Sequence, residues 1–247
     1  MPDTIEVASN LLIRKLEKIG ELELADRRAI AALPFVSATM RAGHSLVQEG
    51  QTVTNCWLLL AGYVCRQKNA NRGSRQILSF HMPGDLLDLQ HLVLPQADHG
   101  IQAITDLSVA TISTAALREL ARARPAIGEA FWRDTLIESS IFREWVLNIG
   151  QRDAKSRIAH MLCEFAIRRE AAGLGEPEHF DLPMTQQQIA DATGLTPVHV
   201  NRMLQMLGAE AVIEREGRRI TISDWDKMRR VADFEPGYLH LDRAKNG

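Results

Sequence analysis

His199, Asn201, Arg202 and Gln205 crowd into seven positions, and all four are side-chain types that can read nucleic acid. Arginine can donate two parallel hydrogen bonds to guanine O6 and N7, and asparagine or glutamine can pair with an adenine edge in a similar way. At helical spacing Val200, Leu204 and Leu207 repeat on one face and leave these polar groups on the other. An apolar stripe backed by donors is what a helix lying in a DNA major groove requires. The chain carries no GxSxG, no P-loop and no HExxH, so an enzymatic reading has no residues to stand on.

The surrounding sequence supplies elements that would position those donors. Thr185 is a good N-cap and Gln188 completes a capping box, with Ile189 and Ala190 facing inward. Gly194 falls where the chain must leave that first helix, a position that calls for positive φ. Thr196 caps a second helix and Pro197 occupies its first turn, where no amide donor is needed. Beyond it, Ala211-Val212-Ile213 and Arg219-Ile220-Thr221-Ile222 read as two strands joined through Glu214 to Arg218, with Gly217 in the turn. Such a hairpin forms the wing of a winged helix-turn-helix, and Arg215, Arg218 and Arg219 place cations on it.

These residues carry a resemblance. Arg152 to Ile222 resembles the DNA-binding domain of the Crp/Fnr family of bacterial transcription regulators: RDAKSRIAHMLCEF is similar to its opening helix, and MTQQQIADATGLTPVHVNRMLQMLGAEAVI to its helix-turn-helix. Upstream, RAGHSLVQEGQ, LLLAGYV and QILSFHMPGDLL resemble successive strands of the cyclic-nucleotide-binding β-roll of the same family. The resemblance implies that Arg202 reads guanine and that Asn201 and His199 reach the groove. It further implies that Thr185, Gln186 and Thr196 meet phosphates at helix N-termini, with Arg218 on the wing. Val198 stands where the family usually has Glu, so the familiar family operator does not transfer: valine can touch a thymine methyl but cannot accept from cytosine N4.

Composition sets bounds. A chain of 247 residues can hold two modest domains, and its formal charge of −2 gives no global basic footprint. Local cations suffice for phosphate contacts, because acids beyond a Debye length of ~8 Å are screened. Cys56, Cys65 and Cys163 are too widely spaced for a zinc or iron–sulfur site and read as free, mostly buried thiols. Some family members sense oxygen through an N-terminal cysteine cluster; here no cysteine precedes Cys56. No apolar run reaches ~20 residues and no secretory signal is visible, so the expectation is a cytoplasmic protein without membrane contact.

Along the chain, Asn10 to Leu33 reads as helical. Short β-prone runs follow at Ser45–Val47, Cys56–Leu60, Gly62–Cys65, Gln76–Phe80, Ile101–Ile104 and Leu107–Ile112, as in a small antiparallel roll. Ala115 to Ala123 is a short helix. Ile127 to about Gln151 is a long one whose apolar residues, among them Phe131, Trp132, Leu136, Ile141, Trp145 and Val146, cover more than one face. That pattern predicts burial on two sides, against the roll and a partner helix or within a monomeric core. Dimerisation is favoured because helix-turn-helix proteins commonly read two half-sites and the resemblance implies it, with Ile141 a candidate interface position. Phe234 and Tyr238 imply that the first part of the tail packs down.

A cyclic-nucleotide pocket needs a cation for the phosphate and an acceptor for the ribose hydroxyl. In the resembled family a Gly-Glu pair and a downstream Arg supply these. Here Gly84-Asp85 takes the first place, while Ala97-Asp98-His99-Gly100 stands where the Arg should be, and no Lys or Arg occurs between Arg75 and Arg118. Gly84, Asp85, His99 and Gly100 would line an effector pocket ill suited to cyclic AMP. His81, His91 and His99 show no metal-ligand spacing and read as surface or satisfied loop histidines, so no metal or cofactor is expected.

The reading is α+β: an N-terminal helix and antiparallel β-roll effector domain (1–124), a long dimerisation helix (125–151), a winged helix-turn-helix (152–232) and a tail (233–247). Its partners would be double-stranded DNA, a second copy of the chain, RNA polymerase if it activates, and an unidentified small-molecule effector. The alternative is a ligand-binding signalling module whose C-terminal hairpin contacts protein.

Overall fold

The computed structural model describes residues 4–71 and 73–241. They divide into two compact units, residues 4–68, 81–139 and 241 in the first, and Asn69–Phe80 with Ser140–His240 in the second. The chain opens with α1 (Thr4–Ile19) and α2 (Leu24–Ala31). Eight strands follow: β1 (Val36–Met40), β2 (Ser45–Val47), β3 (Asn55–Ala61), β4 (Val64–Asn69), β5 (Arg75–His81), β6 (Leu86–Leu87), β7 (Gly100–Ala103) and β8 (Leu107–Ser113). Next come α3 (Thr114–Ala123), α4 (Pro125–Gln151) and α5 (Ala154–Ala171). The remainder is β9 (His179–Asp181), α6 (Gln186–Thr193), α7 (Pro197–Ala209), β10 (Glu214–Glu216), β11 (Arg219–Thr221) and α8 (Trp225–Ala232).

In the first unit β1-β8-β3-β6 form one antiparallel sheet, and β2, β7 and β4 lie consecutively in another. The unbroken apolar run of β3 follows from its position. Cys56 and Leu58 enter a core with Leu12 and Leu16 of α1 and Ile127 and Phe131 of α4. Trp57 and Leu59 point the other way, into a second core with Val47, Val64, Ile101 and Val109. A strand covered on both faces needs apolar residues at every position rather than at alternate ones. At the β3–β4 turn Gly62 has φ +88°, and a Cβ there would stand 2.3 Å from the Asp106 carbonyl, so only glycine fits.

Several elements depart from expectation. The single N-terminal helix is two, because Glu23 starts α2 with a reciprocal cap: its amide donates to Asp26 Oδ2 at 3.0 Å. Arg124 then holds the same carboxylate at 2.6 Å. Strands β1 and β9 and helix α8 lie outside the runs that periodicity and turn signals mark, and β6 is the closing Leu86-Leu87 of the QILSFHMPGDLL segment. The wing is shifted. Ala211–Ile213 is not a strand: Ala211 has φ +51°, and Val212 and Ile213 are buried below the end of α7. The strand is Glu214–Glu216, exposed throughout, with Glu216 paired to Arg219 across a two-residue turn.

In the second unit α5 packs against α7 and α8. Asp153 caps it by accepting from the Lys155 and Ser156 amides, and Ile158, Leu162 and Phe165 are buried along its length. The first part of the tail packs down. Phe234 is buried, and Tyr238 Oη donates to Glu164 Oε2 at 2.8 Å. Burial pushes the Glu164 carboxyl upward, against the pull of Arg168 and of the Trp145 and Tyr238 hydrogen bonds.

Helix α4 is apolar on two faces, but Ile141 is 9% exposed and belongs to the chain's own core, as does Trp145. The outward stripe is Trp132, Leu136, Phe142 and Val146, with Trp132 68% and Val146 59% exposed. Ile141 is therefore corrected as an interface position. Among the described residues no helix is long and apolar enough to cross a membrane.

Candidate nucleic-acid interface

The two helices of the hairpin are set by their caps. Thr185 Oγ1 accepts from the Gln188 amide at 3.2 Å, and Gln188 Oε1 accepts from the Thr185 amide at 2.8 Å. Gly194 ends α6 in the left-handed region, φ +68°. Thr196 Oγ1 then accepts from the His199 amide at 3.3 Å, and Pro197 opens α7. Val200, Met203, Leu204 and Leu207 are buried, so α7 turns its other side outward.

That outer side is organised. Arg202 Nη2 donates to His199 Nε2 at 2.9 Å; since arginine can only donate, His199 keeps its proton on Nδ1. Gln186 Nε2 donates to Asn201 Oδ1 at 3.2 Å, tying the first helix to the second and orienting the asparagine. Val198 is 82% exposed at the head of the helix, an apolar side chain with no fold-internal reason to face outward. Thr185 is exposed and Gln186 half-buried at the head of α6.

The wing is less basic than its arginines imply. Arg218 Nε donates to the Leu182 carbonyl at 3.0 Å and Nη2 to the Pro183 carbonyl, so this guanidinium anchors the wing to the segment before α6. Arg219 lies 3.5 Å from Asp181, and Arg215 Nε donates to the Gly217 carbonyl at 3.1 Å; both are exposed. Glu214 and Glu216 are exposed beside them.

Support for α6 comes from two places the sequence did not flag. Arg75 Nη2 grips Asp191 at 2.6 Å, and Gln76 Nε2 donates to the Ala192 carbonyl at 3.4 Å. Arg157 donates to the Thr193 carbonyl at 3.3 Å and to the Arg152 carbonyl at 2.8 Å, bracing the turn at Gly194. The RDAKSR motif held Arg157 in plain view, but its partner could be found only from the fold.

In the first unit the pocket residues fall into two linked polar clusters. Gly84 has φ +97°, and Asp85 Oδ2 accepts the Met82 amide at 3.1 Å while Oδ1 meets Lys15 at 3.1 Å. Lys15 also meets Asp134 at 3.1 Å. Burial would lower the Lys15 ammonium, but the Asp134 and Asp85 carboxylates outweigh it and hold it above its ordinary value. His99 lies instead beside Asp88 and Asp98, with Gly100 opening β7. Arg66 links the clusters, meeting Asp88 at 3.3 Å and Glu138 at 3.4 Å.

The three histidines are not loop-surface groups. His81, His91 and His99 are all buried, and among the described residues His91 Nε2 has no hydrogen-bond partner. Sequence spacing missed this because the fold brings His99 back onto Asp88 from beyond an intervening loop.

A β-roll unit joined in one chain to a winged helix-turn-helix defines a class of DNA-binding regulators. The sequence matches the Crp-like helix-turn-helix domain over residues 156–231 and the cyclic nucleotide-binding domain over residues 38–124. It is 28% identical to the transcriptional activator protein FnrL of Cereibacter sphaeroides over 192 residues, 76% of this chain and 77% of that protein. The nitrogen fixation regulation protein FixK of Rhizobium meliloti is 27% identical over 203 residues, 81% of this chain and 89% of its own. The structure of FixK2 from Bradyrhizobium japonicum superposes with a TM-score of 0.74 at 25% identity, covering 81% of this chain and 98% of that one. The chain belongs to the Crp/Fnr family of DNA-binding transcription regulators.

Proposed function

We propose that this regulator acts as a homodimer reading a two-fold symmetric operator, with the outer face of α7 in the major groove of each half-site. The observation that carries the reading is the Arg202–His199 pair, a guanidinium already held in place on an outward helix face. Arg202 takes a guanine edge, while Asn201 and His199 address neighbouring positions and Val198 meets a thymine methyl. Thr185, Gln186 and Thr196 bring helix N-termini to phosphates. Arg218 serves by fixing the wing, and Arg215 and Arg219 supply its exposed cations. The outward stripe of α4 packs on the second copy. On this reading residues 1–124 are the effector domain, 125–151 the dimerisation helix, 152–232 the DNA-binding domain and 233–247 a tail. The protein works in the cytoplasm, and if it activates it also contacts RNA polymerase.

The effector is a small molecule other than a cyclic nucleotide. Asp85 is committed to Lys15, and Asp98 adds negative charge where a phosphate would need a cation. Titration of a labelled duplex at several salt concentrations tests the DNA reading. Log affinity should fall linearly with log salt, as released counterions require. Salt-independent or absent retention would favour a hairpin that contacts protein.

A further inference from the structure

We propose that Asp88, His91 and His99, inside the effector domain, are the protein ligands of a divalent first-row transition metal such as zinc. The inference is independent of how the protein reads DNA.

Local geometry assembles the site. Asp88 stands at the N-cap of a 3-10 turn at Leu89–Leu92, where the His91 amide donates to the Asp88 carbonyl at 3.0 Å and brings the two residues together. Asp88 adopts φ +69°, a left-handed conformation that is uncommon for a residue with a Cβ. His99 arrives from the other direction, at the entry to β7. All three side chains are at least nine-tenths buried, at 1%, 2% and 4% residual exposure, and their candidate ligand atoms lie within 4.8 Å of one another.

The hydrogen bonds then fix which atoms face inward. His91 Nδ1 lies 2.6 Å from the Leu94 carbonyl, and His99 Nδ1 lies 2.8 Å from Asp98 Oδ1. Both partners only accept, so both Nδ1 atoms carry protons and both Nε2 atoms aim at the Asp88 carboxylate. His91 Nε2 is 3.7 Å from Oδ2, and His99 Nε2 is 3.1 Å from Oδ1. Metal bonds of ~2.0–2.2 Å separate tetrahedral ligand atoms by ~3.4 Å, so ligand atoms within 4.8 Å of one another need only a small closure around an ion.

Without a cation the arrangement is costly. Neither His91 Nε2 nor Asp88 Oδ2 has a hydrogen-bond partner among the described residues, and two buried acceptors face each other. Arg66, Gln90 and His99 Nε2 meet Oδ1, at 3.3 Å, 3.2 Å and 3.1 Å, and leave Oδ2 open. A histidine that donates its outer nitrogen to a carbonyl or carboxylate while presenting the inner one is the usual outer-shell support of a metal ligand. Two imidazoles and a carboxylate suit zinc, iron(II) or cobalt(II), with a remaining position for water.

The test is uptake of zinc, and of cobalt(II) as a spectroscopic probe, by the full chain after chelator treatment. One equivalent should bind, with X-ray absorption showing two imidazoles and cobalt spectra free of thiolate charge transfer. His91→Gln and His99→Gln should each weaken uptake at least ~10-fold, as should Asp98→Asn, which supports His99 without touching the metal. Exposed His44→Ala should change nothing. No uptake, thiolate ligation, or equal uptake by the His91→Gln/His99→Gln double variant (adventitious binding only) would overturn the proposal. The absorption measurement on the unaltered protein decides the matter even where a variant folds poorly.

Discussion

At the residue scale the outcome turns on which polar groups are free to act. Arg202 is exposed and, among the described residues, is held by His199. Arg202→Ala should weaken specific binding by ~1–3 kcal/mol and relax one base pair per half-site. His199→Ala should cost less and leave that base preference in place, since it steadies the arginine and addresses a neighbouring position; competition binding against single-base operator variants reads both. Arg218 behaves differently because its guanidinium is spent on the Leu182 and Pro183 carbonyls. Arg218→Ala should therefore lower the melting temperature as well as DNA affinity, whereas loss of a mere phosphate contact would leave melting unchanged. Asp134 supplies a pH signature. Burial, opposed by Lys15, pushes its carboxyl from 3.8 up to about 6. A raised carboxyl contributes stability that is full below pH ~4 and is lost as pH rises through ~6. The stability difference between wild type and Asp134→Asn, from urea unfolding, should shrink over that window and level off above it; a pH-independent difference would refute the assignment. Residue types and spacing made Thr185, Thr196 and Arg202 legible in the sequence. They could not reveal Arg218's partners or the meeting of Asp88 with His99, which depend on where distant segments return.

At the element scale local signals succeeded where local physics is decisive. The capping box at Thr185, Gly194 and the Thr196-Pro197 start fix the helix hairpin within a few residues of one another. The first wing strand lies later than the apolar run Ala211–Ile213 suggests. Val212 and Ile213 are apolar since they plug the core after α7, whereas Glu214–Glu216 pairs through its backbone alone. Short strands such as β9, held by β11, have too few residues to show a period. On α4 the apolar run was legible, but which face stays uncovered was not. Val146→Glu, on the exposed stripe, should give monomers by sedimentation and abolish operator binding, because both half-sites must be held at once. Ile141→Glu should instead unfold the chain, as a charge forced into its own core. A wild-type monomer at micromolar concentration would defeat the dimer reading.

At the scale of the whole molecule the domain matches its family's roll but has no Lys or Arg between Arg75 and Arg118, where the phosphate cation would stand. The missing charge-assisted hydrogen bond is worth ~1.5–3 kcal/mol, or one to two decades of affinity. Calorimetry should therefore show no cyclic AMP or cyclic GMP binding at micromolar concentrations, and DNA binding should not depend on either. Micromolar binding would mean that backbone amides around Gly84 hold the phosphate unaided. The central claim is that an outward α7 on each of two paired copies reads DNA sequence. Selection of bound duplexes from a random pool tests it most directly. Wild type should enrich a two-fold symmetric motif with half-sites one helical turn apart, and Arg202→Ala should lose one conserved base pair from each half. A pool that stays random, or an identical motif from both proteins, would contradict the account.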